Sequence, residues 1–141
     1  MSQQTRQWVC AQLKFTDDTQ QADLMDESRT TTTLIAFLQE LLTTRDGVWC
    51  NKLEVTAVRT DHPTDDGPDG HSGGNAIDFA PLVDDADMHL IQDIQACPDA
   101  RGIGLGGYYQ QFAAACGGYG PDSKLFPDNV TNHIHVQVVG Y

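Results

Sequence analysis

Two short segments, His71 to Asp78 and His133 to His135, constrain this chain more than anything else in it. The first reads His71-Ser-Gly-Gly-Asn-Ala-Ile-Asp78 and the second His133-Ile-His135. Together they offer one imidazole, one carboxylate and one or two further imidazoles. Three such nitrogen and oxygen donors are the ligand set of a catalytic zinc, with a fourth position left for water. The residues between them give the donors a common direction. Gly73 and Gly74 let the chain turn after His71. Residues 75–80 then alternate small or polar with apolar, as a half-buried strand does. Ile77 and Phe79 point to a core, while Ala76, Asp78 and Ala80 face away from it. In the late segment Ile134, Val136 and Val138 form the apolar face, and His133, His135 and Gln137 the other. The fold therefore has to present the polar faces of two short strands to one another.

The remaining pattern supplies elements to pack behind those strands. Leu34, Ile35, Leu38, Leu41 and Leu42 recur at helical spacing, which predicts a helix over 33–44 stopped by Asp46-Gly47. A second helix is predicted over 84–96, with Met88, Ile91 and Ile94 as its buried stripe and Pro98 ending it, and a short third over 108–116. Residues 53–59, 74–80 and 133–139 read as strands. The first 30 residues are polar and poorly patterned, and read as an arm. There is no internal repeat and no interdomain linker. At 141 residues the chain makes one domain, with one core and the arm in front of it. The predicted architecture is α+β, a small central antiparallel or mixed sheet with helices packed on one face.

The motif His-x-x-Gly-x-Ala-x-Asp, carried by His71, Gly74, Ala76 and Asp78 and followed by a late His-x-His, resembles a known family. It is similar to the zinc D-alanyl-D-alanine carboxypeptidase and L-alanyl-D-glutamate endopeptidase superfamily, whose fold is shared with hedgehog signalling domains. The resemblance covers residues 53–139. Its other parts are the strand 53–59, which looks like the family segment ending in a substrate-binding arginine, here Arg59, and the run Gly102-Ile-Gly-Leu-Gly106, similar to a glycine-rich strand before the final motif. The resemblance implies one zinc ion on His71, Asp78 and His135. Many members carry a glutamate as general base three residues before the last zinc histidine. Here that position is Asn132, whose amide cannot take a proton, and the only glutamates are Glu27, Glu40 and Glu54. A second branch of the superfamily is closer: its first histidine of His-x-His sits beside the metal water and its second binds zinc. That match makes His133 the general base, and an imidazole titrating near neutrality suits the task.

Composition narrows the partners. A net charge of −12 argues against nucleic acid and against an anionic membrane surface. Much of it lies in Asp17-Asp18, Asp65-Asp66 and Asp84-Asp85, read as solvated loops. No apolar run is long enough to span a bilayer. The N-terminus has no apolar stretch of the kind a secretory signal needs. The expected location is thus a host cytoplasm with release to the cell wall, or a virus particle, which points to a phage origin. Cys10, Cys50, Cys97 and Cys116 lack C-x-x-C spacing and read as free buried thiols. Residues 102–107 match G-x-G-x-x-G literally, but no strand precedes them as a dinucleotide site requires. His89 reads as a surface residue of the second helix, and His62 as a loop residue within reach of substrate.

The function implied is zinc-dependent hydrolysis of a peptide bond in the peptidoglycan stem, as a carboxypeptidase, an endopeptidase or a phage lysin. Arg59 would pair with a substrate carboxylate, which the fork of a guanidinium fits. The alternative is a non-catalytic structural or wall-docking component of a phage particle that reuses the fold, with phage structural proteins as its partners.

Overall fold

The longest apolar period in the chain organises the core. In the computed structural model, which describes residues 2–60, 62, 67–80, 82, 86–106, 123–125 and 133–139, that period forms the helix Thr32–Thr43. The Thr31 side chain caps it by accepting from the Leu34 amide. Leu34, Ile35, Phe37, Leu38, Leu41 and Leu42 are all buried along one side, each worth about 1.5–3 kcal/mol of apolar transfer. A short 3-10 turn, Thr44–Asp46, follows, and Gly47 closes it at φ 78°. The α-helix thus ends at Thr43, and the stop expected at Asp46-Gly47 closes the turn after it. Arg45 and Trp49 both donate to the Asp93 carboxylate, at 2.6 and 2.7 Å, and so tie this turn to a later helix.

In chain order the described elements are α1 (Gln3–Ala11), β1 (Lys14–Phe15), α2 (Asp18–Met25), α3 (Thr32–Thr43), β2 (Glu54–Ala57), β3 (Ala76–Phe79), α4 (Ala86–Ala96), β4 (Gly102–Leu105), β5 (Ser123–Leu125) and β6 (Ile134–Gln137). The strands form one mixed sheet in the order β1-β2-β3-β6-β4-β5. The two outermost pairings are parallel and the three inner ones antiparallel. This is the α+β architecture that the sequence predicts. One face of the sheet, through Val55, Ile77, Phe79, Ile103, Leu105, Ile134 and Val136, joins a single core with side chains of α1, α3 and α4. The other face carries Asp78, His135 and Gln137.

The first 25 residues correct the expected arm. Residues 3–25 hold two helices and a strand, and Val9, Cys10, Leu13 and Leu24 belong to the core. The reason they escape a hydrophobic pattern is that their buried faces are half polar: Arg6, Val9 and Cys10 on α1, and Gln20, Asp23 and Leu24 on α2. The Arg6 guanidinium is buried and donates to the Leu24 carbonyl at 2.7 Å, the Thr30 hydroxyl at 2.8 Å and the Thr30 carbonyl at 2.9 Å. Three bonds of this sort offset the desolvation of a cation that would otherwise never be buried. Asp17 and Asp18, expected in a solvated loop, instead start α2, with Asp17 and Gln20 forming a reciprocal cap. On α4 the buried residues are Asp87, Leu90, Ile91 and Ile94, so Leu90 takes the place expected of Met88. His89 is exposed, as expected. The predicted third helix over 108–116, Asp65-Asp66 and Asp84-Asp85 lie outside the described residues.

Between Val55 and Ala57 the β2–β3 register slips: Val55 pairs with Phe79, but Ala57 pairs with Asp78. Paired residues share a face, so the slip moves Ala57 to the side of Asp78 and returns Val58 to the core. Such a bulge is what Arg59 requires to leave the core side of its strand.

Candidate metal centre

β6 lies between β3 and β4, and its register sets Asp78 directly opposite His135. Ala76 and Gly102 flank Gln137, and Gly104 flanks His135 on its other side. Small neighbours on this face leave width for two imidazole rings. The third ring arrives from the turn before β3. His71–Gly73 is a 3-10 turn closed by Gly74 at φ 74°, a left-handed conformation that favours glycine. A Cβ on Gly74 would also stand 2.2 Å from the Arg29 carbonyl oxygen. Both expected turning glycines are therefore required, Gly73 because its Cβ would strike Pro68.

The three expected ligands converge. His71 Nε2 lies 3.0 Å from Asp78 Oδ1, His135 Nδ1 lies 2.9 Å from the same oxygen, and the two nitrogens are 3.2 Å apart. Three donors about 2.0–2.1 Å from one tetrahedral zinc stand about 3.3 Å from one another, so a few tenths of an ångström of opening would seat an ion. The ring centroids of His71 and His135 are 5.0 Å apart. Two imidazoles on one such ion hold their centres about 5 Å apart. All three side chains are buried.

The outward edges of the two rings decide which atoms face inward. His71 Nδ1 meets the Val58 carbonyl oxygen, which only accepts, so this nitrogen carries the proton. His135 Nε2 lies 2.8 Å from Gln137 Oε1. The Gln137 amide is itself oriented by donating from Nε2 to the Val139 carbonyl at 2.9 Å, so its oxygen accepts from His135. In their neutral forms both rings therefore aim a lone pair at the Asp78 oxygen. Three electron-rich atoms within 3.2 Å of one another call for a cation. Burial alone would raise the Asp78 carboxyl. With no ion between them, the triangle is held only where the facing nitrogens carry protons: hydrogen bonds from His135 and His71 and the charge on those rings then outweigh burial and hold the carboxyl far below the usual carboxylate range.

His133 stands just outside this triangle. Its Nε2 is 3.6 Å from Asp78 Oδ2, the oxygen that does not face the two buried rings, and its side chain keeps 16 % exposure. His62 comes closer than its loop position promised. Its ring stacks on His71 with centroids 3.9 Å apart and planes 16° from parallel. His62, His71 and Asp78 bring ligand atoms within 4.8 Å of one another and could hold a metal ion. The stacked spacing is nevertheless shorter than two imidazoles on one tetrahedral ion adopt, which makes His135 the better partner for His71 and leaves His62 as the ring that covers it.

Arg59 donates from Nη1 to the Arg29 carbonyl at 2.9 Å and to the Ser28 carbonyl at 3.5 Å. Its Nε and Nη2 make no bond among the described residues. Asn132 lies outside the described residues, as does Cys116. Cys10, Cys50 and Cys97 are free thiols. Burial pushes Cys10 up to about 11 against the opposing Arg6 charge, and burial with the carboxylates of Glu40, Asp93 and Asp99 pushes Cys97 up to about 12. Such thiols are poor ligands. Sequence reading missed two parts of the centre. Gln137 was legible only as a polar residue on the His135 face, and the Val58 carbonyl left no signal, because any residue supplies one.

No protein-family model, curated protein or solved structure matches the chain.

Proposed function

We propose that this protein is a zinc-dependent peptidase of the hedgehog/DD-peptidase fold, acting on a peptide bond of the peptidoglycan stem. The observation that carries the reading is the convergence of two imidazole lone pairs on one carboxylate oxygen, with both outer ring nitrogens tied to acceptors. Structural and catalytic zinc sites alike fix their histidines this way. A further imidazole beside the group, His133, which keeps more exposure than the ligands, favours catalysis. His71, Asp78 and His135 would hold the ion, which supplies a water of lowered pKa and polarises a carbonyl. His133 is less buried than the ligands and sits against Asp78 Oδ2, so it can accept the proton and pass it to the leaving amine. Asp78 thereby serves both, Oδ1 towards the ligands and Oδ2 towards the base. Arg59, steadied through Nη1 on the Arg29 carbonyl, keeps its remaining donors for a substrate carboxylate.

A second reading follows from His62. If His62 swung to the ion in place of water, the centre would be closed, as structural zinc sites are, and the chain would be a docking or structural component, for instance of a phage particle. Among the described residues no helix is long and apolar enough to cross a membrane. Elemental analysis of the purified protein, followed by turnover of purified cell wall and of synthetic stem peptides, tests both. One zinc with release of new amino groups supports the peptidase. One zinc without turnover favours the structural reading, and no metal on any preparation refutes both.

A further inference from the structure

The last turn of α2 and the segment that leads from it to α3 touch both loops that aim His71. On one side, Asp23 accepts from the Arg59 amide at 3.2 Å, the Thr60 amide at 2.7 Å and the Thr60 hydroxyl at 2.6 Å. Those two amides follow directly on Val58, whose carbonyl receives His71 Nδ1. On the other side, the Thr31 amide donates to the Gly74 carbonyl at 3.1 Å, and the Thr31 hydroxyl meets Asn75 Oδ1 at 3.0 Å. Gly74 is the residue that closes the His71 turn. Between these contacts Arg59 reaches back to the Arg29 carbonyl at 2.9 Å, and Arg6 holds Thr30 from within the core.

An ordinary surface loop needs none of this. Asp23 is 2 % exposed, yet it stays ionised: burial raises its carboxyl, and hydrogen bonds from Thr60 together with Arg29 outweigh the burial. The Arg29 guanidinium meets Asp23 Oδ1 at 2.9 Å. Its two oxygens thus take four donors, three of them on residues 59 and 60. We propose that Asp23 is a positioning residue of the metal centre: by fixing the chain at Arg59 and Thr60 it holds the Val58 carbonyl that orients His71. The N-terminal helices then serve the site as an outer brace, which gives this otherwise unpatterned region a reason to be part of the domain. The inference rests on His71, Asp78 and His135 binding a metal.

The test compares Asp23→Asn with Asp26→Asn, a change at the end of the same helix whose carboxylate, among the described residues, accepts hydrogen bonds from Ser28 alone. Zinc affinity is read by competition with a chromophoric chelator, and the His71 ring by nitrogen-15 NMR of the zinc-free protein. Loss of an outer partner of a metal ligand lowers affinity by about 10- to 100-fold. Asp23→Asn should show a loss in that range and a His71 ring no longer held in the Nδ1–H form, with far-UV circular dichroism unchanged, while Asp26→Asn matches wild type in all three. Thr60→Val, an exposed position, removes one of the four donors and should move both readouts the same way by less. It takes over the test if Asp23→Asn does not fold. Wild-type affinity together with a wild-type His71 signal in the Asp23 variant, or in Thr60→Val when it stands in, overturns the brace. A wild-type protein that takes up no zinc refutes the metal reading instead, and the His71 signal then judges the brace alone.

Discussion

Replacing Gln137 by leucine should weaken zinc binding while sparing the metal-free fold, and the size of the effect follows from the hydrogen bonds around His135. In the native arrangement Gln137 Oε1 accepts from His135 Nε2 at 2.8 Å, which leaves Nδ1 as the lone-pair atom facing Asp78 at 2.9 Å. Leucine fills similar volume and removes the acceptor. Without metal, the ring of the variant can move its proton to Nδ1 and donate it to Asp78, so little stability is lost. The Val139 carbonyl, released from Gln137 Nε2, lies at a half-exposed position where water can replace the amide. With metal, the proton must return to Nε2, where it has no partner in a buried site. An unsatisfied buried donor costs about 1–3 kcal/mol. That corresponds to zinc affinity lower by about 5- to 150-fold, and to a stabilisation by saturating zinc that is smaller by the same energy. Chelator competition measures the first and thermal melts with and without zinc the second. A leucine variant that binds zinc as wild type does, or one that loses its stability equally with and without metal, would refute the tautomer argument.

Other expectations follow from the same geometry. His133→Ala should lower peptidoglycan turnover by about 10²–10⁴-fold and keep zinc, whereas His135→Ala should lose both, as read by amino-group release and elemental analysis on the same preparations. Near-normal cleavage by the His133 variant would remove that residue from the proton step. Gly74→Ala should destabilise the fold by more than the about 1–2 kcal/mol of left-handed strain alone, because its Cβ would meet backbone at 2.2 Å; urea unfolding measures it. The Asp23 carboxyl is depressed in the folded protein, so its contribution is fully present above the unfolded value of about 3.9 and fades as pH falls through the folded value. The stability gap between wild type and Asp23→Asn should therefore be wider at neutral pH than in acid, and a gap that grows on acidification contradicts the assignment.

The parts of this protein that were legible in its sequence are those written in a period. The helix carrying Leu34 to Leu42 and the alternation through Ile77, Phe79, Ile134 and Val136 state their burial directly, and the alternation also put Asp78 and His135 on one face. Register completed the pair, and register is set by the whole sheet. Where polar side chains do the burying, the period vanishes. Arg6, Gln20 and Asp23 fill interior positions through hydrogen bonds to carbonyls, amides and one another's neighbours, a currency that hydropathy does not record. The Val58 carbonyl and the bulge beside it are backbone features, open to many sequences. His62 belongs to a third kind: its contact with His71 depends on where a long loop returns, which only the closed structure fixes.

The place of β6 bears on how the protein is made. It is the last of the described strands in the chain yet lies between β3 and β4, so the sheet stays in two unjoined portions until residues 134–137 have been synthesised. His135 rides on that same strand. During translation the nascent chain can bury its N-terminal helices against β2 and β3, but His135 cannot join His71 and Asp78 until the closing strand slots in. If the proposed centre takes up zinc, metal capture and completion of the sheet are coupled, and the binding energy becomes part of what drives the final strand home. On the proposed function, cells starved of the ion would hold more chains one strand short, with β3 and β4 exposing bare edges to their neighbours.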